Sequence, residues 1–165
     1  MAEHTIRTAQ GSNARVGVNT VEHPQADALD GALADLIDLG LLAKQAQWNV
    51  VGPRFPAMQH LLDQLAELAR TSSDRVAERA VVLGHAPDGR AATVTTLSSL
   101  PTVEPGAQND ADTIAAFVVI LDAVVSRIHS VLEAFDTDLV TVDLFTSVLA
   151  EIEKCAWMLR AQRDQ

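Results

Sequence analysis

Residues 56–84 read PAMQHLLDQLAELARTSSDRVAERAVVLG, and this stretch decides the fold. Its apolar positions Met58, Leu62, Leu65, Ala69, Val76, Ala80 and Leu83 recur largely at three- and four-residue steps, so one side of a long helix faces a core. Pro56 suits a first helical turn and Gly84 a C-terminal stop. The same stretch carries Asp63, Glu67, Asp74 and Glu78. At about 100° per residue their azimuths relative to Asp63 are about 0°, 40°, 20° and 60°. Four carboxylates therefore share one narrow stripe, and most of the apolar residues lie more than about 100° from its centre.

Working outward, Leu29, Leu33, Leu36, Ile37 and Leu41 give a preceding helix from about Gln25. Pro24 sits in its first turn, and Gly52-Pro53 ends it near Val51. Residues 85–108 hold Pro87, Gly89, Pro101, Pro105 and Gly106, a connection long enough to cross over a bundle, with a short helix expected over 93–100. Asn109 or Asp110 can cap a third helix over 110–135, with Ile114, Phe117, Val118, Leu121, Val125, Ile128 and Leu132 on its inner side. A fourth runs from about Asp138 to Arg160, burying Leu144, Val148, Leu149, Ile152, Ala156 and Leu159. No strand pattern competes. Residues 1–23, with Gly11, Ser12, Asn13 and Gly17, read as a flexible tail, and residues 24–163 as one domain. The expected fold is all-α: a ferritin-like four-helix bundle with a long crossover between the second and third helices.

Composition narrows the function classes. The 165 residues carry 22 acids against 12 bases, a formal charge of −10. Only Lys44 and Lys154 are lysines, so bulk charge repels nucleic acid and attracts cations. The longest unbroken apolar run, Ile114–Leu121, is far short of the roughly 20 residues that span a bilayer, and no membrane partner is expected. No secretory signal opens the chain, and the single Cys155 excludes an intrachain disulfide; a cytoplasmic location is expected. Periodicity leaves the acidic stripe open. It can be a solvated face balanced by Arg70, Arg75 and Arg79, or a site for a hard cation such as Fe(II).

Three stretches carry a resemblance. Lys44-Gln45-Ala46-Gln47-Trp48-Asn49-Val50-Val51-Gly52-Pro53-Arg54-Phe55 is similar to the end of the first helix in the Dps family of mini-ferritins. Asp63 followed by Asp74-Arg75-Val76-Ala77-Glu78-Arg79 resembles the family's D-x-x-A-E-R segment, and Glu151–Arg160 its L-E-K-x-x-W ending. The resemblance implies a homo-oligomeric cage, a hollow dodecamer that takes in Fe(II), oxidises it between two-fold-related subunits and stores ferric mineral. Iron is the implied metal, and peroxide is a common oxidant in the family. Each family site combines two histidines of one subunit with two acids of its partner and a supporting Asp. The acids map onto Asp74 and Glu78, and the supporting residue onto Asp63. The histidine positions are Gln47 and Gln59. An amide oxygen is a poorer Fe(II) ligand than imidazole and carries no proton, so weaker binding and slower oxidation are expected. The alternatives are a structural or iron-sequestering cage with an inactive ferroxidase centre, or an unrelated helical interaction protein.

Other residues carry two readings each. His60 is one residue from Gln59, a rotation of about 100°, which favours a surface or interface histidine over a substitute ligand. Trp48 matches the family tryptophan beside the iron site, or simply packs the helix end. Trp157 reads as a core or interface anchor, Cys155 as a small buried hydrophobe, and His129 as packed or partly exposed. His4, His23 and His85 fall in tail or loop. Asp136, Asp138 and Asp143 suit a helix N-terminus, while the resemblance makes Asp138 and Asp143 candidates for an acidic three-fold pore. Family DNA binding often uses a lysine-rich tail. Here Arg7 and Arg15 are cancelled by Glu3 and Glu22, and Arg160 and Arg163 stand with Asp164, so neither end is a basic arm and DNA binding, with any place on the nucleoid, is disfavoured.

Overall fold

Each helix forms where an apolar stripe meets a local start or stop signal, and the computed structural model of the chain describes residues 23–163. The elements are α1 (His23–Asn49), β1 (Val50–Val51), α2 (Phe55–Val82), α3 (Ala91–Leu97), β2 (Gln108–Asn109), α4 (Asp110–Ala134) and α5 (Leu139–Arg163). Four long helices make the bundle, α1 packing chiefly on α2 and α4 on α5, with α1 also against α4. Leu36, Met58, Leu62, Phe117, Phe135 and Phe145 are among the largest fully buried side chains. The all-α ferritin-like bundle with its crossover between α2 and α4 is the observed architecture.

The ends follow the sequence signals. Pro56 lies in the first turn of α2. Gly84 adopts φ +79°, and the N–H groups of Gly84 and His85 donate to the carbonyls of Val81 and Ala80 at 2.9 Å, a Schellman stop that a glycine makes without strain. The Asn109 side chain accepts from the Asp112 N–H at 2.9 Å, capping α4.

Several expectations are corrected. The crossover helix is Ala91–Leu97 rather than 93–100. His23 is the first residue of α1 rather than tail; His4, Arg7 and Arg15, with the rest of residues 1–22 and residues 164–165, lie outside the described residues. Val50 and Val51 pair in parallel with Gln108 and Asn109, a two-residue ladder too short to leave an alternating pattern. Leu41 is exposed, at the rim of surface grooves that α1 shares with α2 and with the crossover helix and outside the core. Trp157 is 65% exposed and so is no part of the chain's own core. By length and composition α4 is apolar enough to cross a membrane, which the unbroken-run count missed; its Phe117, Ile120, Leu121 and Val124 are spent on the bundle core.

The crossover is fastened by polar groups of α1. Asp35 is fully buried, accepts from the Ser99 N–H at 2.7 Å and the Ser99 hydroxyl at 3.0 Å, and pairs with Arg127 Nε of α4 at 2.8 Å. Ser98 donates to Asp38 at 2.6 Å, and His85 meets Asp30 at 2.8 Å. At the opposite end Gly52 takes φ +134°, and a side chain there would stand 2.7 Å from the Asp110 carboxylate. That carboxylate accepts from the Arg54 N–H at 2.7 Å. Removing Asp35 strands a partly buried guanidinium and two donors. Asp35→Ala is expected to lower stability by about 3 kcal/mol. Asp122→Ala, which breaks the exposed pair with Arg160, should change it by less than about 1 kcal/mol. Urea unfolding of both variants is the check.

Candidate functional site

The turn at 50–54 folds α2 back along α1, so the last turns of α1 face the first turns of α2. Gln47 and Gln59 meet across that junction. Gln59 Nε2 donates to the Gln47 carbonyl at 2.6 Å, and Gln47 Nε2 lies 3.5 Å from the Gln59 carbonyl. Each amide therefore grips the other residue's backbone. Gln47 Nε2 also donates to Asp63 Oδ1 at 3.0 Å.

The fourth member is Lys44, one turn before Gln47. Its ammonium donates to Gln47 Oε1 and, at 3.0 Å, to Asp63 Oδ1. Hydrogen bonds from Lys44 and then from Gln47 hold the Asp63 carboxyl below its ordinary range. Sequence reasoning missed Lys44, although its i,i+3 spacing to Gln47 was the available signal. The cluster brings together the three expected residues of this half-site, Gln47, Gln59 and Asp63, and supplies their charge balance from within the chain.

Asp74 and Glu78 are not part of this cluster. Eleven residues separate Asp63 from Asp74, about 16 Å of helix, so the two acids of one chain do not reach its own glutamines. Both are exposed. Arg70 lies 3.5 Å from Asp74 and grips Glu67 more closely, at 2.5 and 3.0 Å; that hydrogen bonding holds the Glu67 carboxyl low. Among the described residues no three His, Cys, Asp or Glu side chains converge as a metal site. Trp48 is 71% exposed at the end of α1.

The remaining candidates sit apart. His60 faces the groove between α2 and α5, lined also by Asp63, Glu67, Arg75, Glu151 and Cys155. Cys155 is half-buried rather than fully buried, and burial pushes its thiol pKa up. His129, Asp136 and Asp143 are exposed. Asp138 caps α5, accepting from the Thr141 hydroxyl at 2.7 Å, and takes Arg79 Nη2 of α2 at 2.6 Å. Burial raises its pKa, but the Thr141 and Arg79 hydrogen bonds outweigh this and leave it lowered.

An antiparallel four-helix bundle with an acidic helix and a long crossover defines a class, and residues 26–165 match the family model described as a ferritin-like domain. Within that class the chain belongs to the Dps family. It is 33% identical over 144 residues to the DNA protection during starvation protein of Mycolicibacterium smegmatis, covering 84% of this chain and 76% of that one. The Agrobacterium fabrum protein of the same name is 30% identical over 163 residues, 98% and 96% of the two chains. DNA protection during starvation protein 2 of Deinococcus radiodurans is 37% identical over 135 residues; the match takes 81% of this chain but only 56% of that longer one. Among solved structures, Dps92 of Deinococcus radiodurans superposes with a TM-score of 0.80 at 35% identity over 84% of each chain. Dps from Microbacterium arborescens, in its high iron form, gives 0.80 at 29% identity, covering 88% and 99%.

The Asp138 geometry sets a pH dependence. A carboxyl whose pKa is lower folded than unfolded contributes stability above about pH 4, the unfolded range, and loses it as pH falls through the folded value. Asp138→Asn should therefore be less stable than wild type by about 1 kcal/mol at pH 7. The gap should narrow as pH falls from about 4 towards 2, which urea unfolding at a series of pH values measures.

Proposed function

We propose that this chain assembles as a cytoplasmic Dps-type homo-oligomeric cage. The cage takes up Fe(II), oxidises it and stores ferric mineral, limiting iron- and peroxide-driven damage. The observation that carries this reading is the placement of Asp74 and Glu78. They stand exposed on α2, about 16 Å (Asp74) and about 22 Å (Glu78) of helix from Asp63 of their own chain, where they can complete the half-site of a partner. Exposed Trp48 and Leu41 on the adjoining face of α1 supply apolar surface for such a contact. Iron is cargo and substrate here. Asp143, exposed and with its charge uncommitted to any cation described above, is the better pore carboxylate; Asp138 is already matched by Arg79.

One observation favours a second reading, an iron-sequestering cage with an inactive oxidation centre. Lys44 donates to both Gln47 Oε1 and Asp63 Oδ1, and Gln47 donates to Asp63 Oδ1, so these candidate ligand oxygens already have donors within the chain. The two readings separate in one series. Native mass is expected at about twelve times the 17.6 kDa chain, and a monomer overturns both. Fe(II) is then added with oxygen or peroxide and ferric formation followed. The first reading expects wild type to exceed buffer and Asp74→Ala to fall towards it, with Gln47→His/Gln59→His faster than wild type by about tenfold. Wild type equal to buffer, with the histidine pair active, selects the second reading.

A further inference from the structure

We infer that a small cavity between α1, the end of the crossover and α4 binds a short aliphatic amine as its ammonium ion. The cavity holds about 220 Å³. The last turns of α1 close one side, Thr102–Gly106 of the crossover a second, and the first turns of α4 a third. At about 100° per residue, Gln45, Ala46 and Asn49 lie on the face of α1 nearly opposite Lys44 and Gln47. The cavity is therefore separate from the α1–α2 half-site, and its ligand does not depend on the iron reading.

The lining is rich in acceptors. Asn49 Nδ2 donates to the Gln45 carbonyl at 2.7 Å, and the Thr113 hydroxyl donates to the Asn109 carbonyl at 2.9 Å. With those donors committed, the side-chain oxygens of Asn49 and Thr113 remain as acceptors. Glu104 enters no hydrogen bond or ion pair among the described residues. The Asp112 carboxylate accepts from the neutral Asn109 amide and meets no cationic side chain. No lysine, arginine or histidine lines the cavity. Two uncompensated carboxylates among acceptor oxygens repel anions and select a cation that brings hydrogen-bond donors. The positive end of α4 offsets part of the Asp112 charge, which makes Glu104 the principal partner.

The apolar walls decide which cation. Ala46, Val103 and Ala116 present carbon to the space, and only two carboxylates are at hand, whereas a calcium-type ion takes about six to eight oxygen ligands. An ammonium on a short alkyl chain answers both features: its head donates three hydrogen bonds, and its methylenes cover methyl surface. The volume is that of about seven waters. A chain of about six non-hydrogen atoms fits it, and a drug-sized ligand does not.

The test is a calorimetric titration of the assembled protein with putrescine, a short aliphatic diamine, at fixed ionic strength, with butanol as the neutral analogue. Wild type is compared with Glu104→Gln, with Ala116→Leu, which fills the cavity wall, and with Glu153→Gln, which removes an exposed carboxylate of α5 outside the cavity. The expected result is saturable binding at one site per chain, weakened about tenfold or more by Glu104→Gln and by Ala116→Leu. Glu153→Gln should leave it unchanged, and butanol should give no saturable heat. Glu104 is exposed and unpaired, so its substitution should not move the thermal midpoint. Wild type without saturable binding overturns the inference, as does Ala116→Leu binding as tightly as wild type. Equal weakening by Glu104→Gln and Glu153→Gln also overturns it, because attraction to net charge alone would then explain the heat, and so does butanol binding as well as putrescine.

Discussion

The Asp35 carboxylate is the constraint on which the arrangement of the chain depends. It is fully buried in α1, and every group around it is there to receive its charge: Arg127 from α4, and the N–H and hydroxyl of Ser99 from the crossover. A buried ion is tolerated only when its partners are complete. The two helical pairs and the segment that joins them must therefore be docked together for this one group to be satisfied. Helices α1 and α4 could otherwise pack in several relative positions through apolar contacts alone. The ion fixes which face of α1 turns towards α4, and thereby leaves Lys44, Gln47 and Trp48 at the far end beside the start of α2.

Much of this was legible in the sequence, for local reasons. The long helices follow from apolar periodicity, and their ends from Pro56, Gly84 and Asn109, each acting through its own backbone preference. The half-site positions Gln47, Gln59 and Asp63 were legible only through the resemblance of their stretches to the Dps family. What stayed hidden depends on contacts between distant segments. Asp35 sits among Leu33, Ala34 and Leu36 and gives no local sign that Ser99 and Arg127 will meet it. The Val50–Gln108 pairing is too short for a pattern. Lys44 was visible as a residue, but its role exists only once Asp63 folds back to it.

The acidic character of the chain resolves into unequal parts. Glu67 is matched by Arg70, Asp63 by Lys44, Asp138 by Arg79 and Asp35 by Arg127. Asp74 is only loosely approached by Arg70. The formal −10 is thus not spread evenly. A carboxylate already bound to arginine attracts a passing cation far less than a bare one at the same depth, so the pairing pattern, more than the total, sets where cations gather.

The anchoring of the crossover also bears on what lengths of chain the fold can accept. Arg54 and Asp110 are 56 positions apart yet touch, and the ladder beside them closes the same long loop. The entropy of closing a flexible loop grows only with the logarithm of its length, so doubling it costs about 0.6 kcal/mol. Contacts at Asp30, Asp35 and Asp38 hold the crossover at a few points and leave Pro101–Ala107 between its last anchor and the ladder. That interval is where extra residues would be absorbed with least penalty, letting the surface of the bundle diversify while its four helices keep their register.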